Sequence, residues 1–140
     1  CTSCRDGIEA MYECVNDICE GKGKEEDITL LEELAGAVKD ASQCGLGQTA
    51  PNPVLSTLHY FRHEYEAHIR DKKCPSGVCK ALIEYSIDTQ KCTGCTLCAK
   101  KCPSAAISGE PKKKHQIVLD KCIKCGVCRE VCKFKAVAIN

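Results

Sequence analysis

The sequence has no tryptophan, one methionine and an aromatic content of 4% over 140 residues, so large rings are scarce and the core is expected to be thin for this length. Charge of either sign is also missing in excess. Lys and Arg number 20 against 19 Asp and Glu, a net charge of +1, which argues against a general electrostatic grip on nucleic acid or acidic membranes. No apolar run approaches the roughly 20 residues of a membrane span, and no signal-peptide pattern is present. What the chain has in abundance is cysteine. There are 15, an odd number that cannot pair completely, at a density typical of disulfide scaffolds or metal proteins. Inorganic cross-links are expected to supplement the core of one ordinary domain or two small ones. The chain opens at Cys1 without Met and is expected to be a piece of a longer polypeptide.

The cysteines are unevenly spread. Cys1, Cys4, Cys14, Cys19 and Cys44 are scattered, Cys74 and Cys79 sit mid-chain, and eight fall in two CxxCxxCxxxC runs. These are Cys92, Cys95, Cys98, Cys102 and, 30 residues later, Cys122, Cys125, Cys128, Cys132. Context repeats as well: Lys91 returns as Lys121, Ala106 as Ala136, and Ile107 as Val137, which implies a duplicated unit with pseudo-two-fold symmetry.

Ahead of the repeat the periodicity is helical. Ile8, Met11, Tyr12, Val15 and Ile18 predict one helix ending near Gly21 and Gly23. Thr29 and Glu32 read as a capping box opening a second, with Leu30, Leu31, Leu34, Ala35 and Val38 as its stripe. Asn52 as cap and Pro53 at the first position predict a third, carrying Val54, Leu55, Leu58, Phe61, Tyr65 and Ile69. Short β-compatible segments at 83–88, 116–119 and 136–139 flank the cysteine runs. The expected fold is α+β: a helical bundle over 1–72, a cysteine-containing linker or hinge at 73–83 around Gly77, and a ferredoxin-like domain over 84–140. That last domain is expected to move relative to the bundle.

Three cysteines spaced by two residues can wrap one face of an iron–sulfide cube, and the fourth ligand must come from elsewhere. In the bacterial ferredoxin pattern the last Cys of each run serves the other cluster. One [4Fe-4S] cluster would thus take Cys92, Cys95, Cys98 and Cys132, and a second Cys122, Cys125, Cys128 and Cys102. Gly94 and Gly126 suit the tight loops. The first run continues into Pro103, and the second has Lys133 at that place. The competing reading is zinc in paired CxxC knuckles, but two doubled runs at this spacing fit clusters far better. So many free thiols also imply a reducing, cytoplasmic setting.

Cys74 and Cys79 flank a PSGV turn able to present both thiolates to one ion. With one of His59, His63 or His68, of which His68 is nearest in sequence, and one further ligand, they would form a zinc site joining bundle to ferredoxin-like domain. Inert thiols or another iron site are the alternatives. Cys14 and Cys19 lie about 140° apart around one helix and receive no role. His115 reads as a further ligand, or more simply as a surface or cluster-neighbour residue. Lys112 to Lys114 form a solvated face or, on a sharper reading, a docking patch for an acidic redox partner.

The segments CTSCRDG (Cys1 to Gly7) and SQCGLGQTAPNPVLSTLHYFRHEYEAHI (Ser42 to Ile69) resemble the flavin-binding subunit of NADH dehydrogenases of the respiratory complex I type. Together with CPSGVCK (Cys74 to Lys80) and the double cysteine run, the chain more closely resembles the beta subunit of NAD-dependent, electron-bifurcating [FeFe] hydrogenases. Related subunits occur in formate dehydrogenases. The resemblance implies a third [4Fe-4S] cluster on the bundle, with Cys1, Cys4 and Cys44 as ligands and a fourth cysteine upstream of this chain. It implies FMN and NAD sites in the missing upstream part. The implied partners are a hydrogenase catalytic subunit, a small thioredoxin-like [2Fe-2S] subunit and soluble ferredoxin. The expected function is electron relay, with a formate or NADH dehydrogenase subunit, or a zinc-binding interaction module, as alternatives. Three clusters with eleven thiolates would carry the +1 chain to about −4, leaving Lys91, Lys100, Lys101, Lys121, Lys124, Arg129, Lys133 and Lys135 to offset charge locally.

Overall fold

Apolar residues at helical spacing build the first part of the chain, which a computed structural model describes over all of Cys1–Asn140. Helix α1 (Thr2–Cys19) buries Met11 and Ile18, with Cys14 and Val15 partly covered beside them. The stripe is narrower than the spacing suggests: Tyr12 is 69% exposed, because at 100° per residue the neighbour of a buried Met11 is turned outward. Gly21 ends the helix at φ 79°, where a Cβ would stand 2.7 Å from Leu82.

Helix α2 (Glu26–Ala41) begins before Thr29, so the expected capping box does not open it. Glu26 and Asp27 occupy its first turn, where the helix dipole favours negative charge, and the Lys24 N–H donates to the Asp27 carboxylate at 2.7 Å. Ile28, Leu31, Ala35 and Val38 face the core, and Leu30 faces water. A five-residue helix α3 (Gly45–Thr49), not anticipated from periodicity, follows. Helix α4 (Asn52–Glu66) starts one residue earlier than expected, with Pro51 as its cap. It bends at Phe61 (φ −125°, ψ 30°) and continues as a π-helical turn, Ala67–Asp71, that buries His68 and Ile69. Leu58 and Ile69 complete the core with the residues of α1 and α2; a large aliphatic side chain fully buried there contributes about 1.5–3 kcal/mol.

Contacts divide the chain into Cys1–Leu82 and Ile83–Asn140. Of residues 73–83, read from sequence as a linker or hinge, 73–82 belong to the first unit with the helices and Ile83 to the second. Cys74 and Leu82 are buried, and Gly77 (φ 66°) donates its N–H to the Cys74 carbonyl at 3.0 Å, closing a turn.

The second unit is built from short strands and helices: β1 (Tyr85–Ile87), α5 (Leu97–Lys101), β2 (Ile107–Ser108), β3 (Gln116–Ile117), α6 (Val127–Val131) and β4 (Val137–Ile139). The expected β segment at 116–119 is cut short, since Leu119 enters a 3-10 turn, and β2 was not foreseen. β1 pairs antiparallel with β4, with Ile87 opposite Val137, and β3 pairs with β2, with Ile117 opposite Ile107. Adding 30 residues converts one pairing into the other, so each half lends a strand to its twin. The symmetry reaches the backbone bonds: Asp88 N–H to Ala136 O and Val118 N–H to Ala106 O are both 2.7 Å. Strands of two or three residues are marginal alone, and the buried apolar set of Ile83, Tyr85, Ala106, Ile107, Ala136 and Val137 is small.

Candidate metal centres

The repeated turns bring the eight clustered cysteines around two cavities. Cys92, Cys95, Cys98 and Cys132 line one, and Cys102, Cys122, Cys125 and Cys128 line the other. The last cysteine of each run lies with the first three of the other. Left-handed residues make the turns, again in pairs 30 apart: Gly94 with Lys124, Thr96 with Gly126, and Ala105 with Lys135. Gly94 and Gly126 are therefore not equivalent to each other; each occupies one of two left-handed positions in its loop. Lys133 in place of Pro103 leaves the local turn unchanged, since Ala105 N–H to Cys102 O (3.3 Å) matches Lys135 N–H to Cys132 O (3.1 Å).

The donor set suits an iron–sulfide core. Ala106 and Ala136 each donate a backbone N–H to the Sγ of Cys102 and Cys132 at 3.3 Å, bonds that favour thiolates. Burial pushes the Cys128 thiol up to about 11 and the Cys98 thiol in the same direction, so these inner sulfurs need a positive counter-charge to ionise. Cys102 is shifted the other way. Burial there is outweighed by the Ser104 hydroxyl, whose Oγ is 3.6 Å from Sγ, and by backbone N–H groups. Phe134 replaces Ser104 in the other half, so this hydroxyl beside the sulfur has no counterpart there. A donor to a thiolate stabilises the more negative, reduced state. Ser104→Ala is therefore expected to lower the potential of that centre by about 20–60 mV in a redox titration, the equivalent of one modest hydrogen bond.

Gly94 is required sterically. A Cβ there would lie 2.6 Å from the Lys113 nitrogen and 2.7 Å from the Lys112 carbonyl carbon, on a residue with φ 73°. Gly94→Ala is expected to cost about 2 kcal/mol and to lower the melting temperature of the loaded protein by about 10 °C, followed by loss of visible absorbance.

In the first unit, Cys1 caps α1, Cys4 lies one turn in, and Cys44 caps α3. Backbone N–H groups of Gly47 and Leu46 hold the Cys44 thiol below its ordinary pKa. Gly47 brings α3 against Cys4, where an added Cβ would approach Cys4 Cβ to 3.3 Å, and the neighbouring Ser42 hydroxyl is buried without a partner.

His68, Cys74 and Cys79 present ligand atoms all within 4.8 Å of one another. His68 Nδ1 is 2.7 Å from the Glu64 carbonyl, which fixes the proton on that nitrogen, and Nε2 is 3.4 Å from Cys79 Sγ. The Val78 and Cys79 N–H groups both donate to Cys74 Sγ at 3.4 Å. Those bonds and His68 outweigh burial and take the Cys74 thiol down to about 7. Burial and the neighbouring Cys74 and Cys19 sulfurs push Cys79 up. Cys19 is the residue missed in the sequence: its side chain interacts with Cys79 and lines the same cleft. His59 and His63 are exposed and take no part. Cys14 is separate. Its Sγ is 3.8 Å from the Asp27 carbonyl, and burial raises it to about 11.

Two family models match the chain, one in each unit. Residues 1–68 match the family model described as the NADH-ubiquinone oxidoreductase-F iron-sulfur binding region, and residues 85–139 match the 4Fe-4S dicluster domain. The NADP-reducing hydrogenase subunit HndC of Solidesulfovibrio fructosivorans is 51% identical over 98% of this chain. Residues 1–68 are thus similar to the iron–sulfur binding region of such subunits. The NADH-quinone oxidoreductase F protein of Streptomyces coelicolor is 40% identical over 58% of the chain. NADH dehydrogenase [ubiquinone] flavoprotein 1 of Dictyostelium discoideum is 33% identical over 50%. All three relatives belong to NAD(P)-linked oxidoreductases. The chain spans 28% of the hydrogenase relative and 18% and 15% of the other two. An alignment of 137 residues covers nearly all of both units, whereas 81 or 70 residues cannot cover both in full. No helix is long and apolar enough to cross a membrane.

Proposed function

We propose that this chain relays electrons through [4Fe-4S] centres inside an NAD(P)-linked hydrogenase. The crossed placement of the two cysteine sets carries the reading: Cys92, Cys95, Cys98 and Cys132 would hold one centre, and Cys122, Cys125, Cys128 and Cys102 the other. Such centres supply one-electron redox chemistry when bound, while the residues around them set distance, potential and exclusion of water. Cys1, Cys4 and Cys44 would hold a third, completed by a cysteine outside this sequence. The chain reconstituted with iron and sulfide is expected to bind about eight irons and to show reduced-state paramagnetic signals; four irons or fewer would overturn the reading.

Near-complete alignment with a relative from a hydrogenase favours that class over NADH dehydrogenase and formate dehydrogenase. In the fuller reading the parent protein holds FMN and NAD or NADP and works with a hydrogenase catalytic subunit, a thioredoxin-like [2Fe-2S] subunit and soluble ferredoxin. Hydrogen oxidation would then be shared between nicotinamide and ferredoxin. Copurification of the full-length protein with a hydrogen-activating partner supports this, and a formate-oxidising partner opposes it. His68, Cys74 and Cys79, joined by Cys19, would hold a redox-inert zinc ion, whose tetrahedral preference suits three sulfurs and one nitrogen.

A further inference from the structure

His115 is 1% exposed, and neither ring nitrogen has a hydrogen-bond partner. It lines the cavity of Cys92, Cys95, Cys98 and Cys132, and its ring is held from behind by Gly109, where a Cβ would come within 2.7 Å of Cγ. The repeat sharpens the point. Thirty residues earlier stands Tyr85, which lines the other cavity and reaches the Gly126 loop with its hydroxyl, 3.1 Å from where a Cβ would stand. An aromatic ring fills this place in one half, so shape alone does not call for an imidazole in the other. Burying two unpartnered ring nitrogens is unfavourable unless the cavity supplies an acceptor. Apart from two threonines, the other lining residues are Ile87, Phe134, Ala136, Val137 and the four cysteines, so sulfur is the principal acceptor the cavity offers.

We propose that His115 donates a ring N–H to a sulfur of the centre held by Cys92, Cys95, Cys98 and Cys132, and raises the reduction potential of that centre alone. The inference rests on the cluster reading above. The bond strengthens as the electron arrives, since the reduced centre carries one more negative charge, and its loss disfavours reduction. The matching place at the other centre is taken by Tyr85, a phenol instead of an imidazole, so His115 adds a second inequivalence to that of Ser104 and Phe134.

The test is a redox titration of the reconstituted full chain followed by paramagnetic resonance. In His115→Phe, with iron still at about eight per chain, the reduced-to-oxidised ratio of one centre at fixed potential is expected to fall on the order of tenfold, a shift of about 59 mV for one electron. The other centre should not move. Unchanged potentials with full iron overturn the proposal. Should the variant lose a centre, the unaltered chain decides. His115 is the only histidine of residues 83–140, so labelling histidine with 15N is expected to reveal a weak nitrogen coupling in one centre's reduced signal. No coupling, or the strong coupling of a directly bound imidazole, overturns it. A chain that takes up no iron at all overturns the cluster reading and this proposal together.

Discussion

Cys132→Ala combined with Cys95→Ala is expected to leave about four irons on the chain, whereas Cys132→Ala combined with Cys125→Ala is expected to leave none. The difference follows from which sulfurs share a cavity. Cys95 and Cys132 line the same one, so the pair of changes strikes a single centre twice; Cys125 lines the other, so the second pair strikes both. If each run instead held its own four-cysteine centre, the two outcomes would exchange. Iron per chain and the number of paramagnetic signals after reduction read the result directly. The surviving centre in the first double variant still draws Cys102 from the first run and Cys122, Cys125 and Cys128 from the second, so it continues to tie the two halves together. This matters because the protein part of that tie is slight: two sheets of two strands each and a handful of buried aliphatic side chains. The second double variant loses both ties, and unit 83–140 is expected to lose cooperative thermal unfolding with its iron.

The duplicated unit was legible because cysteine spacing is a local property, and a 30-residue repeat constrains turns, strand exchange and ligand crossing together. Even the pairing of Tyr85 with His115 was available from that arithmetic. What the sequence concealed was the environment of those two residues, since burial depends on the whole cavity. Periodicity overstated the outward reach of α1, where Tyr12 is solvent-facing, and placed the start of α2 at Thr29, because a capping-box pattern also occurs inside helices whose first turn is set by other residues. Here Glu26 and Asp27 set it. Helix α3 was too short to show a period, yet it is the element that presents the Cys44 thiol to backbone N–H groups.

Cys19 shows the same limit at a candidate site. Comparing it with Cys14 correctly separates the two around α1, but the comparison is confined to one helix, and the partners of Cys19 come from residues 68–79. Its position in the sequence held a usable hint. It is the last residue of α1, immediately before the Glu20–Gly21 turn, and a helix terminus is where a side chain is free to meet a segment arriving from far along the chain.

Chelation of zinc from the first unit is expected to lower its melting temperature by about 15–30 °C. An ion present at roughly a thousand times its dissociation constant contributes about 4 kcal/mol, and each kcal/mol moves a unit of this size by about 4–8 °C. The geometry explains why one ion should matter so much. Residues 73–82 have no secondary structure beyond one 3-10 turn, and Cys74 and Cys79 join the Lys73 N–H to Ala67 carbonyl bond in attaching them to the π-helical turn that carries His68. Because Nδ1 is committed to the Glu64 carbonyl, Nε2 keeps its lone pair for a metal without further rearrangement. Cys79→Ala should abolish stoichiometric zinc. Cys19→Ala should weaken it more than a hundredfold, about the most that losing a group outside the ligand shell would cost. Cys14→Ala should leave zinc unchanged, since its sulfur faces the Asp27 carbonyl instead. Equal zinc loss in the Cys14 and Cys19 variants would remove Cys19 from the site. Full zinc in Cys79→Ala would remove the site altogether, leaving Cys74, Cys79 and His68 as a buried hydrogen-bonded cluster whose thiols serve only to pack the turn.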